Sequence, residues 1–144
     1  MKKFCAMMLA FAILIFSSQV KAADVSVDYG NSKIFTWRDM NYCIYVIQKN
    51  LTKWGCTLKN VRYVGDEISN SEENIKYLNE LAKSHKFSKR FTKCLVFETD
   101  FISPPEPHDG TITAWNYDSE YNNYVWYFGF YEVDGKWKLL SNGY

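Results

Sequence analysis

The sequence predicts an α+β fold: a long N-terminal helix packed on a curved antiparallel sheet of four or five strands, with a second short helix. Three observations predict it. Apolar residues recur at steps of three and four between Trp37 and Trp54. A thinner helical pattern follows the Ser69, Asn70, Ser71 cluster, and the last third of the chain alternates in strand rhythm around Asp134-Gly135. No internal repeat, low-complexity tract or linker divides the chain, so residues 23–144 form a single α+β domain.

Ahead of that domain, residues 1–22 have the character of a cleavable signal peptide. Lys2 and Lys3 supply a positive start, Phe4 to Phe16 is apolar, and Val20, Lys21 and Ala22 offer a cleavage site. The apolar run is short for a membrane-spanning helix, which disfavours the alternative of an uncleaved anchor. Cys5 lies too early to become the acylated first residue of a lipoprotein. The expectation is a bacterial periplasmic or secreted protein with no integral membrane segment after cleavage.

Cleavage removes Lys2, Lys3 and Lys21, leaving 14 basic against 16 acidic residues and a net charge near −2. A nucleic-acid partner has no support from that balance.

The first mature helix is predicted over 34–54. Trp37, Met40, Ile44, Ile47, Leu51 and Trp54 share one stripe, which is the expected core face. Thr36 can cap the start, Asp39 suits the first turn, and Gly55 supplies the stop. Residues 57–64 fit a short strand. A second helix over 72–86 carries Ile75, Leu78 and Leu81, with Glu72 and Glu73 at its positive end and Lys83, His85 and Lys86 at its negative end. The basic run Lys86, Lys89, Arg90 and Lys93 is expected to be a solvated face, with anion binding as its alternative.

Four strands are then predicted, over 93–103, 111–117, 123–133 and 136–142, separated by the Pro104, Pro105, Pro107 loop, an asparagine-rich turn and Asp134-Gly135. A two-residue turn at Asp134-Gly135 sets Glu132 opposite Trp137, Phe130 opposite Leu139, Phe128 opposite Ser141, Tyr131 opposite Lys138 and Tyr127 opposite Asn142. Alternation then places Trp126, Phe128, Phe130, Trp137 and Leu139 on a core face with Leu95, Phe97 and Phe101. Tyr127, Tyr131 and Lys138 fall on the other face, with Glu98 and Asp100 turned toward it. Tyrosine suits interfaces because it joins a rigid apolar body to a polar tip, so these five residues form the predicted partner-binding site.

Catalytic readings are weaker. Glu98 and Asp100 stand at i and i+2, about 7 Å apart on one face, a spacing that suits an acid and base but recurs on many sheets. His108-Asp109 lacks a serine or cysteine companion motif. Asn50-Leu51-Thr52 is a formal glycosylation sequon on a predicted helix. No catalytic residue, metal site or cofactor is predicted.

Three cysteines follow the signal segment. Cys43 and Cys56 are separated by helix, about 20 Å at helical rise, so the preferred disulfide joins Cys56 to Cys94, with Cys43 to Cys94 as its rival. The spacings match no zinc pattern.

Two family resemblances rest on these residues. The helix-and-sheet order, with the closing run from Tyr124 through Asp134-Gly135-Lys136-Trp137-Lys138, resembles the nuclear-transport-factor-2-like, cystatin-like cone superfamily; it departs from that pattern in having two convincing helices where three are usual. The segments Cys94-Leu95-Val96-Phe97 and Tyr127-Phe128-Gly129-Phe130-Tyr131 are similar to the sheet of periplasmic colicin-M-type immunity proteins. The second resemblance implies a helix on a four-stranded sheet, a disulfide and a protein partner such as a toxin. Together these lead to an exported, non-enzymatic immunity-type inhibitor. The alternatives are a small-molecule-binding or hydrolytic cone domain with an aromatic pocket, and a structural envelope component.

Overall fold

A computed structural model describes residues 24–144. The predicted signal peptide lies outside the described residues. Within them the fold is α+β, with three helices and a five-stranded mixed sheet. The chain order is β1 (Ser26–Asp28), α1 (Trp37–Lys53), β2 (Thr57–Tyr63), α2 (Asp66–Ser69), α3 (Glu72–Ser84), β3 (Cys94–Ile102), β4 (Glu120–Tyr131) and β5 (Lys136–Gly143). The strands lie in sequence order across the sheet. β1 pairs parallel to β2, and every other pairing is antiparallel. The sheet is not curled into a cone, contrary to the predicted curvature.

Helix α1 begins where Thr36 and Asp39 form a reciprocal cap. The Thr36 hydroxyl accepts the Asp39 N–H at 3.2 Å, and the Asp39 carboxylate accepts the Thr36 N–H at 2.9 Å. The other Asp39 oxygen accepts the Trp137 indole N–H at 3.1 Å, which ties the helix start to β5. Met40, Ile44, Ile47 and Leu51 are buried as the stripe requires, joined by Cys43. Trp37 is a correction: as the first helical residue it is 68 % exposed and is not part of the core.

Against α1 the sheet presents Leu58, Val61, Leu95, Phe97, Phe101, Trp126, Phe128 and Trp137, all buried in one cluster. Thr99 is buried among them because its hydroxyl is satisfied on both sides, accepting the Trp126 indole N–H at 2.9 Å and donating to the Tyr124 carbonyl at 3.3 Å. Trp54 stacks on Trp126 and also meets Trp115.

Trp115 belongs to the segment expected to be a strand over 111–117. That segment is an irregular loop between β3 and β4, rich in proline at its start. Ser103 holds its two ends together by bonds to the Asn116 and Ser119 carbonyls. Trp115 then packs on Phe101, Tyr121 and Tyr124, so the loop continues the cover that α1 begins.

The opposite sheet face carries a second cluster. Leu78 and Ala82 of α3 pack there with Phe91, Cys94, Val96 and Leu140, and Tyr127 and Tyr131 lie half-buried against them. Helix α2, not predicted, takes over where β2 leaves the edge of β3. The Ser69 hydroxyl accepts the Val96 N–H at 2.6 Å, and the Asn70 side chain accepts the Cys94 N–H at 3.0 Å, satisfying backbone that a strand would otherwise pair.

The β4–β5 register differs from the predicted one. Phe130 pairs with Trp137, Phe128 with Leu139, Tyr131 with Lys136, Gly129 with Lys138 and Tyr127 with Ser141. Asp134 does not take the positive φ that a two-residue turn needs; Gly135 alone in the turn does, at +65°. The turn therefore spans residues 132–135, closed by the Gly135 N–H on the Tyr131 carbonyl at 2.9 Å. Near the turn the shift is two residues, so each side chain keeps its predicted face. Farther on, a bulge between the Tyr127 and Phe128 pairs places Leu140 as an extra residue in β5.

The predicted disulfide is also corrected. Cys43, Cys56 and Cys94 are buried free thiols. Cys56 precedes Thr57, which pairs with Ile102, whereas Cys94 opens β3 at its other end. Eight residues of strand separate the two levels by about 26 Å, far beyond disulfide reach. The rival pair fails as well, because Cys43 lies in the α1 cluster and Cys94 in the α3 cluster on the opposite face. Burial pushes the Cys94 thiol up to about 12 and raises Cys43 further, so both are held as neutral thiols.

Candidate functional site

Alternation brings Asn60 and Arg62 of β2, Glu98 and Asp100 of β3, and Asn123 and Tyr127 of β4 to the face opposite α1. Helix α3 covers that face only at the Cys94 end of β3. Toward the other end the face is open, and its polar side chains are joined into one network.

Asp100 is the hub. One carboxylate oxygen accepts the Arg62 guanidinium at 2.9 Å and the Asn60 amide at 2.7 Å. The other accepts the Asn123 backbone N–H at 2.8 Å and a longer contact from Arg62 at 3.4 Å. Arg62 also donates to the Asn60 oxygen and to the Asn123 oxygen, each at 2.6 Å, and reaches Glu98 at 3.4 Å. The Arg62 hydrogen bonds, with help from Asn123 and Asn60, hold the Asp100 carboxyl down at about 2. The same contacts raise Arg62.

Two backbone irregularities aim these groups. The β2–β3 register slips between Leu58 and Asn60, and the β3–β4 register slips between Thr99 and Phe101, so both neighbours of Asp100 carry a bulge at its level. Asn123 takes φ +57°, a conformation asparagine tolerates better than most residues, and this turns its N–H onto the carboxylate.

This geometry separates the five predicted site residues. Glu98 and Asp100 share the Arg62 guanidinium and are bridged by it, so they do not flank an empty space as an acid and base pair would. Asp100 is ionised at neutral pH and has its lone pairs occupied. Glu98 is more exposed and makes a single long contact, leaving it free to meet a partner. Tyr127 marks the boundary of the covered region, edge-on to Tyr77 of α3 at 5.2 Å, and burial raises its hydroxyl.

Tyr131 and Lys138 lie apart from that group. Tyr131 packs on Phe87 and Phe91 and hydrogen-bonds Ser88 at 2.7 Å. Lys138 pairs with Asp134 at the hairpin tip.

Sequence reasoning missed Asn60, Arg62 and Asn123. Placing β2 beside β3 would have found Arg62 opposite Glu98, since alternation already put both on one face. It also missed the exposed aromatic residues Trp37, Tyr42 and Tyr45 on the outside of α1.

Among the described residues no group of three or more histidine, cysteine or acidic side chains is arranged to hold a metal, and no helix is long and apolar enough to cross a membrane. The fold and site together define a small α+β domain with one sealed sheet face and one half-open, charged face. No protein family, curated protein or solved structure matches the chain.

Proposed function

We propose that the chain is an exported, non-enzymatic protein-binding domain, of the immunity type that occupies a toxin or enzyme, and that it docks through the open half of the sheet. One observation carries this reading. The face left bare by α3 presents Glu98 and the edge of Tyr127 around a charged network whose internal hydrogen bonds are already made. A surface ordered before binding loses less entropy on association. Glu98 supplies a charge for an opposite charge on the partner, and Tyr127 with Tyr77 supplies apolar contact.

The cone-shaped alternative needs an aromatic cavity beneath α1. Trp54, Phe97, Phe101, Trp126 and Phe128 pack on one another there, which favours the protein-binding reading over that alternative. The signal-peptide character of the sequence at 1–22 supports a periplasmic or secreted setting, and the resemblance of the β3 and β4 segments to colicin-M-type immunity proteins supports a toxin as the partner.

The test is affinity capture from periplasm with residues 23–144, comparing the parent domain with Glu98→Lys and Tyr127→Ala. A partner retained by the parent and weakened by more than about 1 kcal/mol in each variant, with near-UV circular dichroism unchanged, supports the reading. Equal retention by all three overturns it.

A further inference from the structure

We infer that the depression between α3 and the connection at residues 85–91 is a binding site for a small anionic ligand, a phosphomonoester or similar oxyanion carried on a flat apolar body. The cavity has a volume of about 430 Å³ and is lined by Lys76, Glu80 and Lys83 of α3 and by Phe87, Lys89 and Arg90 of the connection. That volume falls in the range of small-molecule sites. Four cations face one carboxylate, and the ion pairs among the described residues involve none of them.

The charge is concentrated against the trend of the chain. Beyond the predicted signal peptide acidic residues outnumber basic ones, yet Lys76, Lys83, Lys89 and Arg90 line one cavity with Glu80 as its single acid. Like charges brought together repel, and an anion bound among them relieves that repulsion. Lysine and arginine also form charge-assisted hydrogen bonds to oxyanions.

The cavity walls are fixed independently of any ligand. Lys86 takes φ +58° and turns the chain back over α3. The Asn79 side chain then clamps Phe91, donating to its carbonyl and accepting its N–H, both at 2.8 Å. Ser88 is held by the Tyr131 hydroxyl at 2.7 Å. Phe87 stands on Phe91 and Tyr131, with ring centroids 5.0 Å from each, and lines the cavity as a supported apolar surface among the cations. A ligand with a ring beside its charge meets both features. This site lies on the α3 side of the domain and shares no residue with the Arg62 network.

The experiment is titration of the 23–144 domain with phenyl phosphate, inorganic phosphate and phenol at low ionic strength, followed by amide chemical shifts. Phenyl phosphate is expected to bind saturably, to shift residues 83–91, and to bind more tightly than either fragment. Lys83→Gln combined with Arg90→Gln, both exposed positions, should weaken it at least about tenfold, and added salt should weaken it in the parent. A second arm uses vesicles of phosphatidylcholine with phosphatidic acid. Binding to both phenyl phosphate and vesicles assigns the phosphate to a lipid headgroup, and binding to phenyl phosphate alone assigns it to a soluble ester. The inference is overturned by no saturable binding of phenyl phosphate, by equal binding of phenol, or by affinity unchanged in the double variant.

Discussion

The two faces of the sheet are built from the same strands by the same alternation, yet along β3 one is buried throughout and the other is buried over half its length. On the α1 side, Leu95, Phe97, Thr99 and Phe101 of β3 are all fully buried. On the α3 side, Cys94 and Val96 are buried whereas Glu98 and Asp100 are not. The difference comes from the covering pieces. The α1 side is roofed by α1 and extended by Trp54 and the Trp115 loop, whereas the connection after α3 extends its cover over Tyr131 and Gly129 and not toward Glu98. Alternation assigns a residue to a face, but tertiary cover decides whether that face is dry.

The sharpest way to break the comparison is to open the sealed side. Trp126→Ala removes a fully buried indole, unstacks Trp54 and leaves the Thr99 hydroxyl without its donor. Urea unfolding should show a loss of about 3–5 kcal/mol. A loss below about 1 kcal/mol would mean that the α1 side is loosely packed and that the two faces differ less than their burial suggests.

The covered half of the other face has its own weak point at Gly129. A methyl group there would meet the Phe91 ring at 2.4 Å, so only glycine lets that ring lie against β4. Gly129→Ala should displace Phe91, loosen its link to Asn79, and cost about 1–3 kcal/mol in the same assay. Restoration of stability by combining it with Phe91→Leu would locate the effect in that contact.

Legibility followed sequence distance. The α1 stripe from Met40 to Leu51, its Thr36 cap, the two hydrophobic runs of the last hairpin and the face of every β3 residue named were readable, because each depends on neighbours a few positions away. The register near residues 132–135 was not, since Asp134 uses its carboxylate to accept the Lys136 N–H and to pair with Lys138 rather than adopting a left-handed turn. The Trp115 loop was mistaken for a strand because alternation over 111–117 does not reveal that Ser103 closes the loop from 13 residues away. Glu98 and Asp100 were legible as a pair on one face. Their bridging by Arg62 was not, as it depends on strand pairing and on two bulges that leave no local signature.

The smallest expected effect sharpens the comparison most, because it separates the two carboxylates of the open half. Asp100 is held at about 2 in the folded chain, below the ordinary carboxylate value of 3.8, so its ionised form favours the folded state. That contribution is complete above about pH 5 and is lost as pH falls from there toward about 2. Asp100→Asn should therefore cost about 1–2 kcal/mol at pH 7, with the gap to the parent protein closing on acidification. The Asp39 and Asp66 carboxylates, also held low by hydrogen bonds, are common to both proteins and cancel in the difference. Glu98→Ala, removing one long contact at a more exposed position, should change stability by less than about 0.5 kcal/mol at pH 7. If Asp100→Asn instead runs parallel to the parent from pH 7 to pH 2, the network is not an ordering device, and the open half is an ordinary wet surface.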